Sequence, residues 1–415
     1  MTISELSHIF NTPVRQSALF KLLKNDQVNT IHLQGLQGSS LALALSPLLE
    51  SENQFIFIAN DLEEAGYLYH DLVQINGDQK ILFFPSAYKR QIKYGQLDPS
   101  NEILRTETLN RLSQYHNNIL VITYPEALAE KVVSNQLLTQ KTLSLSTGEK
   151  VSSTFVADVL FEYGFERVDY VYEPGQYAVR GSILDVFSFS SDDPYRIDFF
   201  GDEIDSIRTF EIETQLSKER LSQICIIPDV SQESVSGISL LDFIQPSVIL
   251  GCRDLTWVVE RIAGIASETI SSQLLISEDG DTKAMEKIID PELFKRKIFN
   301  FRRIDFGVNS PSSSPAVIRM NCSAQPIFHK NFDLVSKTIH KYADDGYKIY
   351  ILSDSPKQIE RIQTIFDDRN ENIVFTPVDK TLHEGFTDHD LKCCFFTDHQ
   401  IFNRFHKYNL KSEKA

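Results

Sequence analysis

Basic residues are in deficit in this chain: 41 lysines and arginines face 57 aspartates and glutamates across 415 residues, a formal charge of −16 at pH 7. Tight duplex binding draws on counterion release by basic stripes, so an acidic chain is a poor candidate for an autonomous DNA-binding module, and protein partners are expected instead. Cysteine is also scarce. Cys225, Cys252, Cys322, Cys393 and Cys394 fall in no C-x-x-C or Cys/His spacing, which argues for reduced thiols over a disulfide framework or zinc site; no metal is expected. Long apolar runs are missing as well, and Met1-Thr2-Ile3-Ser4-Glu5 has no basic lead into an apolar signal core. No membrane role is expected, and the expected location is the cytoplasm.

The remaining composition, 42% hydrophobic and 24% charged residues, is that of a globular chain long enough for several domains. Residues 1–125 alternate continuous apolar runs, at 31–33, 54–59 (QFIFIA), 80–85 (KILFFP) and 119–124 (ILVITY), with amphipathic stretches. This pattern predicts a parallel α/β sheet, whose ligands would sit at the carboxyl ends of its strands. Residues 126–211 change texture. A helix over 152–163, ended by Gly164, precedes short runs at 177–187, 195–200 and 203–210, separated by the turns Ser190-Ser191-Asp192-Asp193-Pro194 and Gly201-Asp202; they read as an antiparallel meander with a helix on one face. Residues 212–330 are less patterned, with a strand at 248–251, a helix at 254–265 containing Trp257, and a polar break at 310–315. They read as the second part of the first domain, which makes the meander an insertion; the pattern equally allows a separate third domain. Residues 331–415 resume an α/β rhythm as a small third domain, and the closing NLKSEKA has the look of a chain end placed at a domain boundary.

At the first strand-to-helix connection stands LQGLQGSSLA, residues 33–42. A phosphate-binding loop reads G-x-x-x-x-G-K-[ST]. Gly35, Gly38, Ser39 and Ser40 retain the turn and its backbone N–H groups, but Leu41 and Ala42 supply neither the lysine's charge nor the hydroxyl that ligates magnesium. That removes charge-assisted bonds of about 1.5–3 kcal/mol each. The acidic half of such a site is also deficient, because ILVITY runs into Tyr124-Pro125 and Glu126 lies beyond the proline. The expectation is a turn kept for its shape, with weak anion binding as the alternative. No Ser/His/Asp or Cys/His constellation emerges from the spacing, so no catalytic residue is assigned.

In the meander, strand alternation sets Arg196 and Asp198 on one face and Tyr195, Ile197 and Phe199 on the other. Arg180 is expected on the face shared with Leu184 and Val186. Cross-strand Arg/Asp pairs, worth a few tenths to about 1 kcal/mol each, would account for such a charged face without any partner. Further on, RKIFNFRRIDFG, residues 296–307, interleaves basic and aromatic residues; it reads as a partly buried strand or connector, with single-strand nucleic-acid stacking as the weaker alternative.

The run Arg180-Gly181-Ser182-Ile183-Leu184-Asp185-Val186-Phe187, followed by Arg196-Ile197-Asp198-Phe199-Phe200-Gly201-Asp202-Glu203-Ile204-Asp205-Ser206-Ile207-Arg208, resembles the homology module shared by the excision protein UvrB and the bacterial transcription-repair coupling factors. The resemblance extends to residues 97–128, and 35–45 occupy the position of the UvrB nucleotide loop. Two departures favour the coupling factors: the loop is degenerate, and only about fifteen residues, 84–98, stand where UvrB carries its long DNA-inserting hairpin.

The resemblance implies a degenerate RecA/UvrB-like parallel-sheet domain with an inserted antiparallel α+β domain and a small α/β third domain. It also implies that the chain is not itself an enzyme, needs no cofactor, and recruits UvrA in transcription-coupled excision repair. Arg180, Arg196, Asp198 and Glu203 match the motif and Arg167 a basic position upstream, which makes these five the expected UvrA-binding residues; Ala178 departs from UvrB, which has an arginine there. In this family ATP and magnesium serve motor domains further along the chain. Those regions would also carry the contacts to RNA polymerase and duplex DNA and an intramolecular mask over the UvrA surface. The rival reading is a UvrB-like ATPase that binds damaged DNA.

Overall fold

The computed structural model describes residues 1–87, 99–114, 118–230, 237–276, 287–404, 406 and 408; the expected hairpin region at 84–98 lies mostly outside them. Strands β1 (Thr30–Gln34), β2 (Phe55–Ile58), β3 (Ile81–Phe83) and β4 (Leu120–Thr123) come first. After a long interruption they are joined by β13 (Ile249–Cys252), β14 (Arg303–Asp305) and β15 (Ala316–Arg319) in one seven-stranded sheet of order β15-β1-β14-β13-β2-β4-β3. Every pairing in it is parallel. Helices cover both faces, so Phe55, Phe57, Val121 and Ile122 are buried, which is why these strands read as unbroken apolar runs. The basic residues of RRIDF are absorbed by the fold rather than displayed to nucleic acid: Arg302 donates to the carbonyls of Val28 and Leu23, and buried Arg303 pairs with Asp305.

The interruption is the antiparallel unit. Its sheet runs β11 (Ser217–Leu221), β10 (Glu203–Phe210), β9 (Tyr195–Phe200), β8 (Ile183–Val186), β7 (Gln176–Arg180) and β6 (Glu166–Arg167), with the helix Ser153–Glu162 packed on one face. A separate ribbon of β5 (Leu143–Ser146) and β12 (Gln223–Ile226) joins its two ends. The unit has a main core, which includes Leu145, Val156, Leu160, Ile197, Ile207 and Ile226, and a smaller cluster formed by Val171, Ala178, Phe187 and Phe210. Its limits are therefore 143 and 226, not 126 and 211: Ala127, Leu128, Val132 and Leu138 pack into the large core, as does Ile227.

The third unit begins earlier than expected, at β16 (Cys322–Ala324), and contains β17 (Lys348–Leu352), β18 (Thr376–Val378), β19 (Phe386–Asp388) and β20 (Cys393–Thr397) in the order β16-β19-β20-β17-β18. Its central strands are apolar over residues 349–352 and 393–396 because both faces are buried there. Ile349, Ile351, Cys394 and Phe396 face a core shared with the helices Phe332–Asp344 and Pro356–Asp368, while Tyr350, Leu352, Cys393 and Phe395 join the core of the large domain. Arg15 fastens this seam from the N-terminal side, donating to both carboxylate oxygens of fully buried Asp388. The cysteines are free, and among the described residues no helix is long and apolar enough to cross a membrane.

Candidate functional site

The motif residues meet on the face of the antiparallel sheet opposite its helix. Tyr195, Ile197 and Phe199 point into the core, so the intervening Arg196 and Asp198 point away from it. Arg180 joins them, against the expectation that it shares a face with Leu184 and Val186. The reason is the turn: Gly181 (φ +63°) and Ser182 form a two-residue connection that pairs Arg180 with Ile183, so the parity on β8 is that of Ile183 and Asp185.

Asp185 is the hub of this face. Completely buried, it accepts from Arg196 Nε at 2.8 Å and Nη2 at 2.9 Å and also from Arg180 Nη2. The hydrogen bonds it donates to Asp185 hold the Arg196 guanidinium above its ordinary pKa, against the opposing effect of burial. Arg196 also donates to the Gln215 carbonyl at 3.0 Å and lies 4.3 Å above the Phe210 ring centroid; Arg180 lies 4.7 Å above that of Tyr170. One strand further, Arg208 and Ser206 both donate to Asp198. Arg167 is exposed on the short edge strand β6 and Glu203 at the β9–β10 turn.

The sheet therefore brings Arg180, Arg196 and Asp198 together and sets Arg167 and Glu203 at its margins. Arg180 and Arg208 keep about a third of their side chains open to solvent, 34% and 37%, whereas Arg196 keeps 15%. Three aromatics flank this charged face in the open: Phe200 (83% exposed) at the hairpin end, and Tyr170 and Tyr172 in the loop before β7. Sequence reasoning placed Phe200 inside the motif without assigning it a role. Its signal was there, since it breaks the alternation of Tyr195, Ile197 and Phe199 and directly precedes a Gly-Asp turn.

The loop at 35–40 has different surroundings. Gly35 (φ +86°) and Gly38 (φ +53°) take left-handed conformations, and Leu41 and Ala42 are buried in the short helix Ser40–Leu45. A chain segment from the third unit occupies the loop: Ser39 N–H donates to the Glu384 carbonyl at 3.1 Å, and Ser39 Oγ accepts from Glu384 N–H at 2.9 Å. The adjacent cleft, about 390 Å³, is lined by Asp61, Glu63, Glu64, Asp71 and Glu384, with Arg253 bound to Glu64. These residues do not fit a triphosphate, because the amide is taken and the lining charge has the wrong sign. Glu126, the acid nearest a Walker-B position, pairs with Arg261. Among the described residues no group of three or more His, Cys, Asp or Glu could hold a metal ion.

Comparison with known protein families singles out the antiparallel unit. Residues 143–231 match the UvrB interaction domain family, a span that starts at the first residue of β5 and ends just past β12. Similar curated proteins are the transcription-repair-coupling factors of Escherichia coli K12 (30% identity over 46% of this chain and 17% of that protein) and Bacillus subtilis 168 (29% over 52% and 19%). That of Staphylococcus aureus RF122 is 20% identical across 98% of this chain and 41% of its own length. The chain thus spans less than half the length of these relatives. Residues 143–231 thus match the UvrB interaction domain family, in a chain that is similar to the transcription-repair coupling factors over less than half their length.

Proposed function

We propose that this chain recruits UvrA in transcription-coupled nucleotide excision repair, through the helix-free face of its antiparallel sheet, and that it does so without hydrolysing nucleotide. The observation that carries the reading is the convergence of Arg180, Arg196 and Asp198 on one face ringed by exposed Phe200, Tyr170 and Tyr172. Aromatic anchors beside partly desolvated arginines are the composition of interface hot spots, and the arginines suit an acidic partner surface. Asp185 and Asp198 hold the guanidinium groups in place before binding, which lowers the entropy lost on association. In this reading Arg180 and Phe200 touch the partner, Arg167 and Glu203 contribute at the rim, and Arg196 positions the others. Contacts to RNA polymerase and duplex DNA, ATP-driven movement, and any mask over this surface belong to parts of the longer relatives that this chain does not span.

The test is capture of purified UvrA by the wild-type chain, Arg180→Ala and Phe200→Ala. Removing a central anchor costs about 2 kcal/mol or more, roughly thirtyfold in affinity, so both variants should lose most of the capture. Undiminished capture by both would refute the site, and no capture by the wild type would refute the function. A UvrB-like ATPase would instead show saturable ATP binding by calorimetry, which this reading excludes.

A further inference from the structure

The loop that cannot accept a phosphate still holds a ligand, and that ligand comes from the same chain. Ser39 and Glu384, separated by 345 positions, are joined twice: Ser39 N–H to the Glu384 carbonyl, and Glu384 N–H to Ser39 Oγ. Ser39 Oγ in turn donates to Asp71 Oδ2 at 2.5 Å, and the other Asp71 oxygen accepts from His383 N–H at 2.7 Å. One buried carboxylate thus ties both sides of the seam together. Steric fit matches the hydrogen bonding, since a Cβ on Gly38 would lie 2.9 Å from the Gly385 carbonyl oxygen and 3.1 Å from Glu384 Cβ. Beside this contact the His383 ring stacks on Tyr67, with centroids 3.4 Å apart.

From this geometry we infer that the loop at 35–40 is an intramolecular socket whose resident ligand is the peptide backbone of 383–385. The backbone amide that an intact P-loop turns toward phosphate here recognises a carbonyl oxygen. Buried polar contacts of this kind add little net stability compared with an apolar seam, but they fix a single register. The socket sets the position of the third unit on the large domain, and its occupation excludes any other ligand from the loop.

Amide hydrogen exchange on the full chain tests this with Ser39→Ala, Asp71→Asn and Glu384→Ala. Ser39→Ala should raise exchange about tenfold or more in residues 35–42 and 380–386 together while peptides covering β2 and β17 stay protected. Asp71→Asn should act in the same direction. Glu384→Ala should leave both segments protected, because the socket reads the backbone rather than the side chain. Loosening of only one segment by Ser39→Ala, loss of protection in β2 or β17, or loss in Glu384→Ala would each overturn the proposal; if Asp71→Asn fails to fold, the other two variants decide.

Discussion

Within the charged face, two arginines that look equivalent in the motif do different work. Arg196 is largely buried between Asp185 and Phe210, whereas Arg180 keeps a third of its side chain in water. Arg180→Ala is therefore expected to leave the urea midpoint almost unchanged, within about 1 kcal/mol, while UvrA capture falls; a large loss of stability would make it a structural residue. Asp185→Ala should behave in the opposite way. It strands the Arg196 guanidinium without its buried partner and should cost about 3 kcal/mol by denaturant titration, and a cost below about 1 kcal/mol would show that Asp185 is not the hub. The residue types and their clustering were legible in the motif, but the face of Arg180 was not. Period-2 counting fails across a two-residue hairpin turn, where the residues on either side of the turn are paired and project together.

Among the elements, the parallel strands were legible because burial on both faces leaves unbroken apolar runs such as QFIFIA and ILVITY. The limits of the inserted unit were not. Nothing local to residues 127–138 shows that they pack into the large core, and the pairing of Ile224 with Leu145 spans most of the insertion. The glycines of the loop were read correctly as turn-formers, but their reason lay elsewhere in the fold. A Cβ on Gly35 would overlap the Met320 carbonyl oxygen, just beyond β15. Gly35→Ala is accordingly expected to cost about 2 kcal/mol or more from left-handed strain and steric overlap together, visible as a lowered melting temperature. A neutral effect would mean that β15 can move away from β1 at little cost. The Ser39–Glu384 contact was beyond any local reading, since its partners belong to different units.

Over the whole molecule, the seam between the large domain and the third unit gathers His70, His383, His399 and His406, with His399 and His406 stacked 4.3 Å apart and His70 4.9 Å from His406. Burial lowers the pKa of His70, takes His383 down to about 4 and His406 to about 3, with repulsion from neighbouring histidines adding to all three and Asp354 opposing it at His70. A base depressed in the folded state stabilises fully above its unfolded pKa near 6.5 and progressively less as pH falls below it. Asp71 opposes them: burial raises it to about 7 despite bonds from Ser39 and His383, so it favours the docked state increasingly as pH drops from 7. Asp398, held below its ordinary value by bonds from His399 and Ser353 that outweigh burial, acts with the histidines at the acid end. Among the described residues Asp354, Glu63, Glu384, Arg404, Tyr67 and Tyr408 also belong to the charged and titratable surroundings. Elsewhere in the large domain burial raises Glu102 to about 7 and also raises Glu130, and both act in the direction of Asp71. The histidines are therefore read from a difference: between pH 7 and 5 the melting temperature should drop less, or rise more, in a His383→Gln/His406→Gln variant than in the wild type, and parallel slopes would remove the histidines from the account. The β5–β12 ribbon bears on a different property. The chain enters the UvrB interaction domain along β5 and leaves it along β12, with Leu143 beside Ile226 at one end and Ser146 beside Gln223 at the other. A partner that drags this domain away from the body stretches both strands in the same direction, so the load runs along two covalent backbones in parallel and the hydrogen bonds between them bear little shear: the ribbon is a double tow-line.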